Sequence, residues 1–151
     1  MKKISLLLFI SMFFWACKNN DADSVDTDTD SLANNTFYWE SYYNDSTGKI
    51  EFRKQPSMEK LSVESIISFL NADNANIQLH YVKTSHDTIF VNIPEAMYLT
   101  QQMGSTGPMI YLSEVVYNLT QLPDIHAVNF DFEEGDHATP GTYNRNSFDQ
   151  Y

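Results

Sequence analysis

Two histidines and four acids near the C-terminal end are the side chains best placed to bind a metal. Carboxylate and imidazole groups suit hard and borderline divalent cations. The spacing argues against a site, because His126 and Asp131 would point to opposite faces of one strand. The others surround Gly135 in a predicted turn, where solvated acids are common. We therefore predict no metal and no cofactor for this group: His126, Asp131, Glu133, Glu134, Asp136 and His137.

Catalysis would need a nucleophile with a base, or paired carboxylates. The sequence has no Gly-x-Ser-x-Gly elbow, and it has neither a P-loop nor a dinucleotide-binding glycine pattern. Glu114 could pair with Asp124 or Glu133, but an acidic chain offers many such pairs. We assign no catalytic residue and predict a protein that is not an enzyme.

The formal net charge is −11 and the isoelectric point is about 4.5. Such a chain repels phosphate backbones, which excludes nucleic acid as an expected partner. It also repels anionic lipid head groups, which argues against peripheral membrane binding through charge. Basic proteins and cations fit this charge better, although a high net charge also serves solubility alone.

The single cysteine, Cys17, follows a segment typical of a lipoprotein signal peptide. Residues 1–17 begin Met-Lys-Lys, continue with an apolar run from residue 4 to residue 15, and end Ala16-Cys17. The run is shorter than the approximately 20 residues that a permanent spanning helix needs. The end resembles a bacterial lipobox, although Phe14 and Trp15 stand where Leu and a small residue are usual. The resemblance implies a diacylglycerol thioether on Cys17, which would anchor the chain to a membrane.

Residues 18–36 contain five aspartates and few large apolar side chains. Such a stretch cannot offset its ordering entropy, so we predict a disordered acidic tether. Asp26, Asp28 and Asp30 have the first spacing of an EF-hand loop. The match ends there, because Ser31 replaces the turn glycine and Phe37 replaces the bidentate glutamate.

Aromatic residues exceed what one small core needs, with nine tyrosines, ten phenylalanines and two tryptophans. Tyrosine and tryptophan supply rigid contact area at protein interfaces and stack on sugar rings. We predict a partner-binding face formed by Tyr38, Trp39, Tyr42 and Tyr43. The alternative is that many of these rings simply cover the sheet.

Hydrophobic periodicity places these residues on elements. Ser62 can cap a helix whose apolar stripe contains Ile66 and Leu70, and Thr106 can cap a second helix whose stripe contains Leu112 and Val116. The order predicts an α+β domain, a small open sheet with helices packed on one face in two layers. The predicted strands are 37–43, 49–53, 77–83, 88–93 and 125–132, with a short helix within 95–103 and a polar tail over 138–151.

Residues 88–135 carry a family resemblance. They read TIFVNI at 88–93, GST at 104–106, VYNLTQLP at 116–123 and IHAVNF at 125–130, with Gly135 after the final strand. This resembles the GerMN (sporulation and germination) domain over roughly residues 37–145. The sequence departs from the family pattern at 71–73, where a Gly-Pro is usual, and at Asn118, where a Thr is usual.

The resemblance implies an envelope accessory domain without an established catalytic set. The expected organisation is a signal peptide at 1–17, a tether at 18–36, a GerMN-like domain at 37–145 and a tail at 146–151. We expect a lipoprotein of the cell envelope, at the outer membrane or surface of a Gram-negative bacterium, that binds another envelope protein. The alternatives are an enzyme acting on cell-wall material and a module that binds peptidoglycan or another glycan.

Overall fold

The structure is a computed structural model that describes residues 36–57 and 59–151. The predicted signal peptide with Cys17 and the predicted tether up to residue 35 lie outside the described residues. None of the helices in the described residues is long and apolar enough to cross a bilayer. In chain order the elements are β1 (Phe37–Asn44), β2 (Lys49–Pro56), α1 (Val63–Asp73), β3 (His80–Ser85), β4 (Thr88–Asn92), a π-helical turn (Tyr98–Gln102), α2 (Gly107–Leu119), β5 (Ala127–Asp131), β6 (Gly141–Tyr143) and a 3₁₀ turn (Arg145–Phe148).

Strands β1 and β2 form an antiparallel hairpin that is a sheet of its own. Its turn is closed by the amide of Gly48, which donates to the carbonyl of Asn44 over 2.8 Å. Gly48 has a φ of +67°, a conformation that glycine adopts without steric cost. The two strands predicted at 37–43 and 49–53 are confirmed as β1 and β2.

The other four strands form a second sheet in the order β3-β4-β5-β6. Strand β4 pairs in parallel with β5, and the two outer pairs are antiparallel. Parallel neighbours need a long crossover connection. Here that connection contains the π-helical turn and α2, which brings α2 against the sheet.

Helix α1 begins as the sequence predicts. The Ser62 hydroxyl accepts from the amide of Ser65, and the Ser65 hydroxyl accepts from the amide of Ser62, which is a capping box. Ile66 and Leu70 are fully buried on the helix's inner face. The predicted cap and apolar stripe are both confirmed.

Helix α2 packs against both sheets. Pro108 lies in its first turn, where a missing amide costs no hydrogen bond. Leu112, Val116 and Leu119 are fully buried, and they share one core cluster with Ile89, Val91, Val128 and Phe130 of the four-stranded sheet.

The α+β class predicted from the sequence is confirmed, with two open sheets in place of one. Two local expectations change. The predicted short helix is a π-helical turn, and part of the predicted polar tail forms edge strand β6. Phe148, beyond β6, is 4% exposed and belongs to the core cluster. The tail therefore contributes to the packed domain.

Candidate functional site

At the joint between α2 and β1, polar side chains of α2 make the hydrogen bonds that join this helix to β1. Asn118 on α2 is fully buried, and its side-chain carbonyl accepts from the Trp39 amide over 2.8 Å. Its side-chain amide donates to the Trp39 carbonyl over 2.7 Å. Both backbone groups on the outer edge of β1 at this residue are therefore satisfied by one side chain.

One helical turn earlier, Glu114 makes the next contact with the same edge. Its Oε2 accepts from the amide of Ser41 over 3.1 Å, and the hydroxyl of Ser113 donates to the hydroxyl of Ser41 over 3.2 Å. Residues four apart on a helix are separated by about 6 Å along its axis. Residues two apart on a strand are separated by about 6.6 Å, so Glu114 and Asn118 match Ser41 and Trp39 in register.

The second oxygen of Glu114 has no hydrogen-bond partner among the described residues, although it is buried. Burial raises the pKa of this carboxyl group to about 7, against the smaller opposing effect of the Ser41 amide. The negative charges of Asp73 and Glu40 raise the pKa further. Nearby, the buried hydroxyl of Tyr111 also lacks a partner, and burial raises the pKa of that phenol.

Aromatic rings pack around Trp39 beside this joint. Trp39 meets Phe52 and Tyr117 edge to face at centroid distances of 6.3 and 5.8 Å, and the latter two rings stack at 3.6 Å. The ammonium group of Lys54 lies 5.3 Å from the centroid of the Trp39 ring. The guanidinium of Arg145 lies over Tyr117 at 4.8 Å. Trp39 is thus half-buried and serves the packing of the hairpin on α2.

The four predicted partner-binding residues do not share one face. Side chains alternate along a strand, so Tyr38 and Tyr42 point to one side of β1 while Trp39 and Tyr43 point to the other. Tyr38 is only 7% exposed and stacks on Phe69 of α1 at a centroid distance of 3.9 Å. The prediction that Tyr38 lies on an exposed partner-binding face is therefore wrong.

Tyr42 and Tyr43 are exposed, at 37% and 42% of their surface. The Tyr42 hydroxyl donates to Glu51 over 2.9 Å, and the Arg53 guanidinium lies 5.7 Å from the Tyr42 ring centroid. Arg53 also forms an ion pair with Glu40. Partner binding through these tyrosines stays a prediction, now limited to the end of the hairpin near its turn.

The histidine and acid group predicted near Gly135 is spread over β5 and the turns that flank it. The Asp131 carboxylate accepts from the side chain of Asn92, and Glu134 accepts from Thr139. Within residues 36–57 and 59–151, no three histidine, cysteine or acidic side chains come together as metal ligands would. Glu114 is buried at the α2–β1 joint, whereas Asp124 and Glu133 are exposed.

Sequence reasoning missed Asn118 and Ser113 as joint residues, and it considered Glu114 only as half of an acid pair. All three are polar, and polar residues on an amphipathic helix usually lie on its solvent-facing side. Their residue types therefore did not indicate burial. The one available signal was the four-residue spacing of Glu114 and Asn118, which places both on one side of the helix.

Comparison with known proteins supports the family resemblance. Residues 36–136 match the family model described as Germane, sporulation and spore germination. Among solved structures, the tandem GerMN domains of the sporulation protein GerM from Bacillus subtilis are similar, with a TM-score of 0.43 and 12% identity. The match covers 69% of this chain and 40% of that chain. No curated protein matches. Because the family model spans more than half of the sequence, the chain belongs to the Germane (GerMN) family of sporulation and spore germination domains.

Proposed function

We propose that this chain is a lipid-anchored accessory protein of the cell envelope that binds another envelope protein and catalyses no reaction. The observation that carries the proposal is the pair of exposed tyrosines, Tyr42 and Tyr43, at the end of a hairpin that α2 holds in place. Large exposed aromatic side chains on a rigid support are typical of protein interfaces. Membership of the GerMN family supports an accessory role.

The anchor in this proposal is Cys17, preceded by Ala16 and an apolar run. Lipid on this cysteine would place the domain at the outer membrane or on the surface of a Gram-negative cell. The test is metabolic labelling with an alkyne fatty acid in cells that express the full chain or Cys17→Ser. We expect label on the wild-type protein alone. Equal labelling of both would show that the lipid is not on Cys17.

Partner binding is tested with a photo-crosslinking amino acid placed at Tyr43 of the full chain in cells. The matched control carries the same group at Asp136, which is also exposed but lies on another part of the domain. A crosslinked band specific to position 43, lost when Tyr42→Ala is added, supports the hairpin end as the interface. Equal bands at both positions, or none at position 43, contradict it.

The same protein incubated with cell-wall fragments tests the alternative classes. Release of soluble products would show an enzyme that acts on cell-wall material. Sedimentation with the fragments without product release would show a glycan-binding module. Either result would replace the proposed protein-binding function.

A further inference from the structure

The α2–β1 joint contains an ionisable group that nothing in the proposed function uses. Glu114 is 5% exposed, and its two carboxyl oxygens have different surroundings. Oε2 accepts from the amide of Ser41, whereas Oε1 is buried and has no hydrogen-bond partner among the described residues. A buried carboxylate is stable when a cation or several donors compensate its charge. For Glu114 the compensating donor is one backbone amide, that of Ser41.

The charged and titratable groups around this position make ionisation harder still. On α2 itself the neighbour is the buried phenol of Tyr111. On α1 and β1 the neighbours are Asp73 and Glu40, both acidic. The hairpin carries three cations on β2, which are Lys49, Arg53 and Lys54. Lys54 lies over the Phe37 and Trp39 rings, and Arg53 forms an ion pair with Glu40. Arg53 does not contact Glu114 in this way. Within the described part of the chain, Arg53 is the one Lys or Arg in an ion pair, and Glu114 has no cationic partner.

Because the side chain of Glu114 lies between α2 and β1, its charge affects the contact between α2 and the hairpin. Its carboxyl group accepts a hydrogen bond from Ser41 of β1. Strand β1 pairs only with β2, so this hydrogen bond joins α2 to the hairpin. The remaining side-chain hydrogen bonds between α2 and β1 come from Asn118 and Ser113, which do not titrate. A charge on Glu114 therefore acts on the packing of the hairpin rather than on the four-stranded sheet.

We propose that protonation of Glu114 controls how tightly the β1–β2 hairpin packs on α2. With the proton bound, the carboxyl group is neutral and its burial costs little. With the proton lost, the hairpin must either bury an uncompensated charge or move away so that water reaches the carboxylate. Burial raises the pKa of this group to about 7, so the change falls near neutral pH. The inference goes beyond the proposed function and does not depend on it.

The test is hydrogen exchange of the full chain in detergent micelles at about pH 5.5 and about pH 8, corrected for intrinsic exchange. We expect the amides of Trp39 and Ser41 to lose protection by about ten-fold or more at the higher pH. The amide of Val91, in the four-stranded sheet, should stay better protected than those of Trp39 and Ser41 at both pH values. Unchanged protection of Trp39 and Ser41 in the wild type would overturn the proposal.

Glu114→Gln removes the charge and keeps the shape and the acceptor for Ser41. In this variant the protection of Trp39 and Ser41 should be the same at both pH values. The matched control is Glu64→Gln on the exposed side of α1, which should behave as the wild type. A pH effect that persists in Glu114→Gln would overturn the proposal.

A second measurement covers the case in which Glu114→Gln does not fold. In the wild-type chain, the carboxyl carbon of Glu114 is followed through a pH titration by NMR. A midpoint well above the ordinary value of 4.5 supports the proposal. A midpoint at or below that value would show that the carboxylate is compensated as it stands, and the proposal would fail.

Discussion

The side chain of Asn118 on α2 pairs with both backbone groups of Trp39 on β1, as the next strand of a sheet would. The same arrangement occurs once more in the described part of the chain. The side chain of Asn71, on α1, accepts from the Leu79 amide over 2.8 Å and donates to the Leu79 carbonyl over 3.0 Å. Asparagine is suited to this role because its carboxamide carries the donor and the acceptor of a peptide group. At Trp39 this pairing covers the open edge of β1, which protects that edge from pairing with other chains.

Asn118→Ala should destabilise the domain by about 2–4 kcal/mol, because it leaves buried backbone groups of Trp39 unsatisfied. Urea unfolding of the purified protein measures this loss. The matched control is Asn76→Ala, at an exposed position, which should change stability by less than about 0.5 kcal/mol. Equal effects of the two variants would show that the Asn118 contact contributes nothing measurable.

Asn71→Ala should have a smaller effect, about 1–2 kcal/mol, because the Asn71 side chain is half-buried and water can replace part of its hydrogen bonding. The more specific readout is hydrogen exchange at Leu79. Its amide should exchange faster in the variant, while the amide of Trp39 keeps its protection. Faster exchange at both residues would indicate general unfolding instead of a local loss.

Tyr38→Ala and Tyr43→Ala should differ sharply although both remove a tyrosine from β1. Tyr38 is buried against Phe69, and its truncation should cost about 2–4 kcal/mol. Tyr43 is exposed, and its truncation should cost less than about 0.5 kcal/mol. Thermal unfolding of both variants measures the difference. A large loss for Tyr43→Ala would mean that the exposed end of the hairpin is needed for folding.

Stability should fall as the pH rises through the range in which Glu114 ionises. The folded-state pKa of about 7 exceeds the ordinary value of 4.5, so the folded protein binds the proton more tightly than the unfolded chain. The contribution is fully present below about pH 4.5 and is lost by about pH 7, on the order of 2–3 kcal/mol. The stability of Glu114→Gln relative to the wild type should therefore increase between these limits in urea unfolding. A constant difference between the two proteins would contradict this.

Gly135→Ala should destabilise the turn after β5. An added Cβ would lie 2.6 Å from the Cβ of Thr100 and 3.1 Å from its carbonyl oxygen, so the two segments would have to move apart. Overpacking of this kind costs about 1–3 kcal/mol. Chemical unfolding tests the variant against Asp136→Ala, an exposed neighbour that should have little effect. Wild-type stability for Gly135→Ala would show that the turn can shift freely.

Local sequence signals predicted the elements whose own residues decide their structure. Ser62 and the stripe of Ile66 and Leu70 predicted α1, and its cap is where the sequence placed it. The strands predicted at 88–93 and 125–132 correspond to β4 and β5, whose buried residues alternate, with Ile89 and Val128 in the core. These signals work because helix capping and strand alternation depend on neighbours along the chain.

Features that depend on distant parts of the chain could not be read in this way. Strand β6 has three residues and no apolar alternation, and it exists because Thr142 and its neighbours pair with β5. The polar side of α2 is buried because β1 presents an open edge to it. The sequence departs from the GerMN pattern at Asn118 and at residue 71, and both are asparagines whose side chains pair with a backbone amide and carbonyl. Asn118 pairs with Trp39 of β1, and Asn71 pairs with Leu79 just before β3.

The contact between Trp39 and Asn118 also has a consequence for the order of folding, because the two residues lie 79 positions apart. The β1–β2 hairpin can form from local contacts, but a lone two-stranded hairpin is only marginally stable in water. Closing so long a loop is entropically costly and slow compared with local turn formation. We therefore expect the docking of α2 on β1 to be a late folding step. Until it is complete, a newly made chain carries an open, aromatic-rich strand edge that can aggregate with other chains.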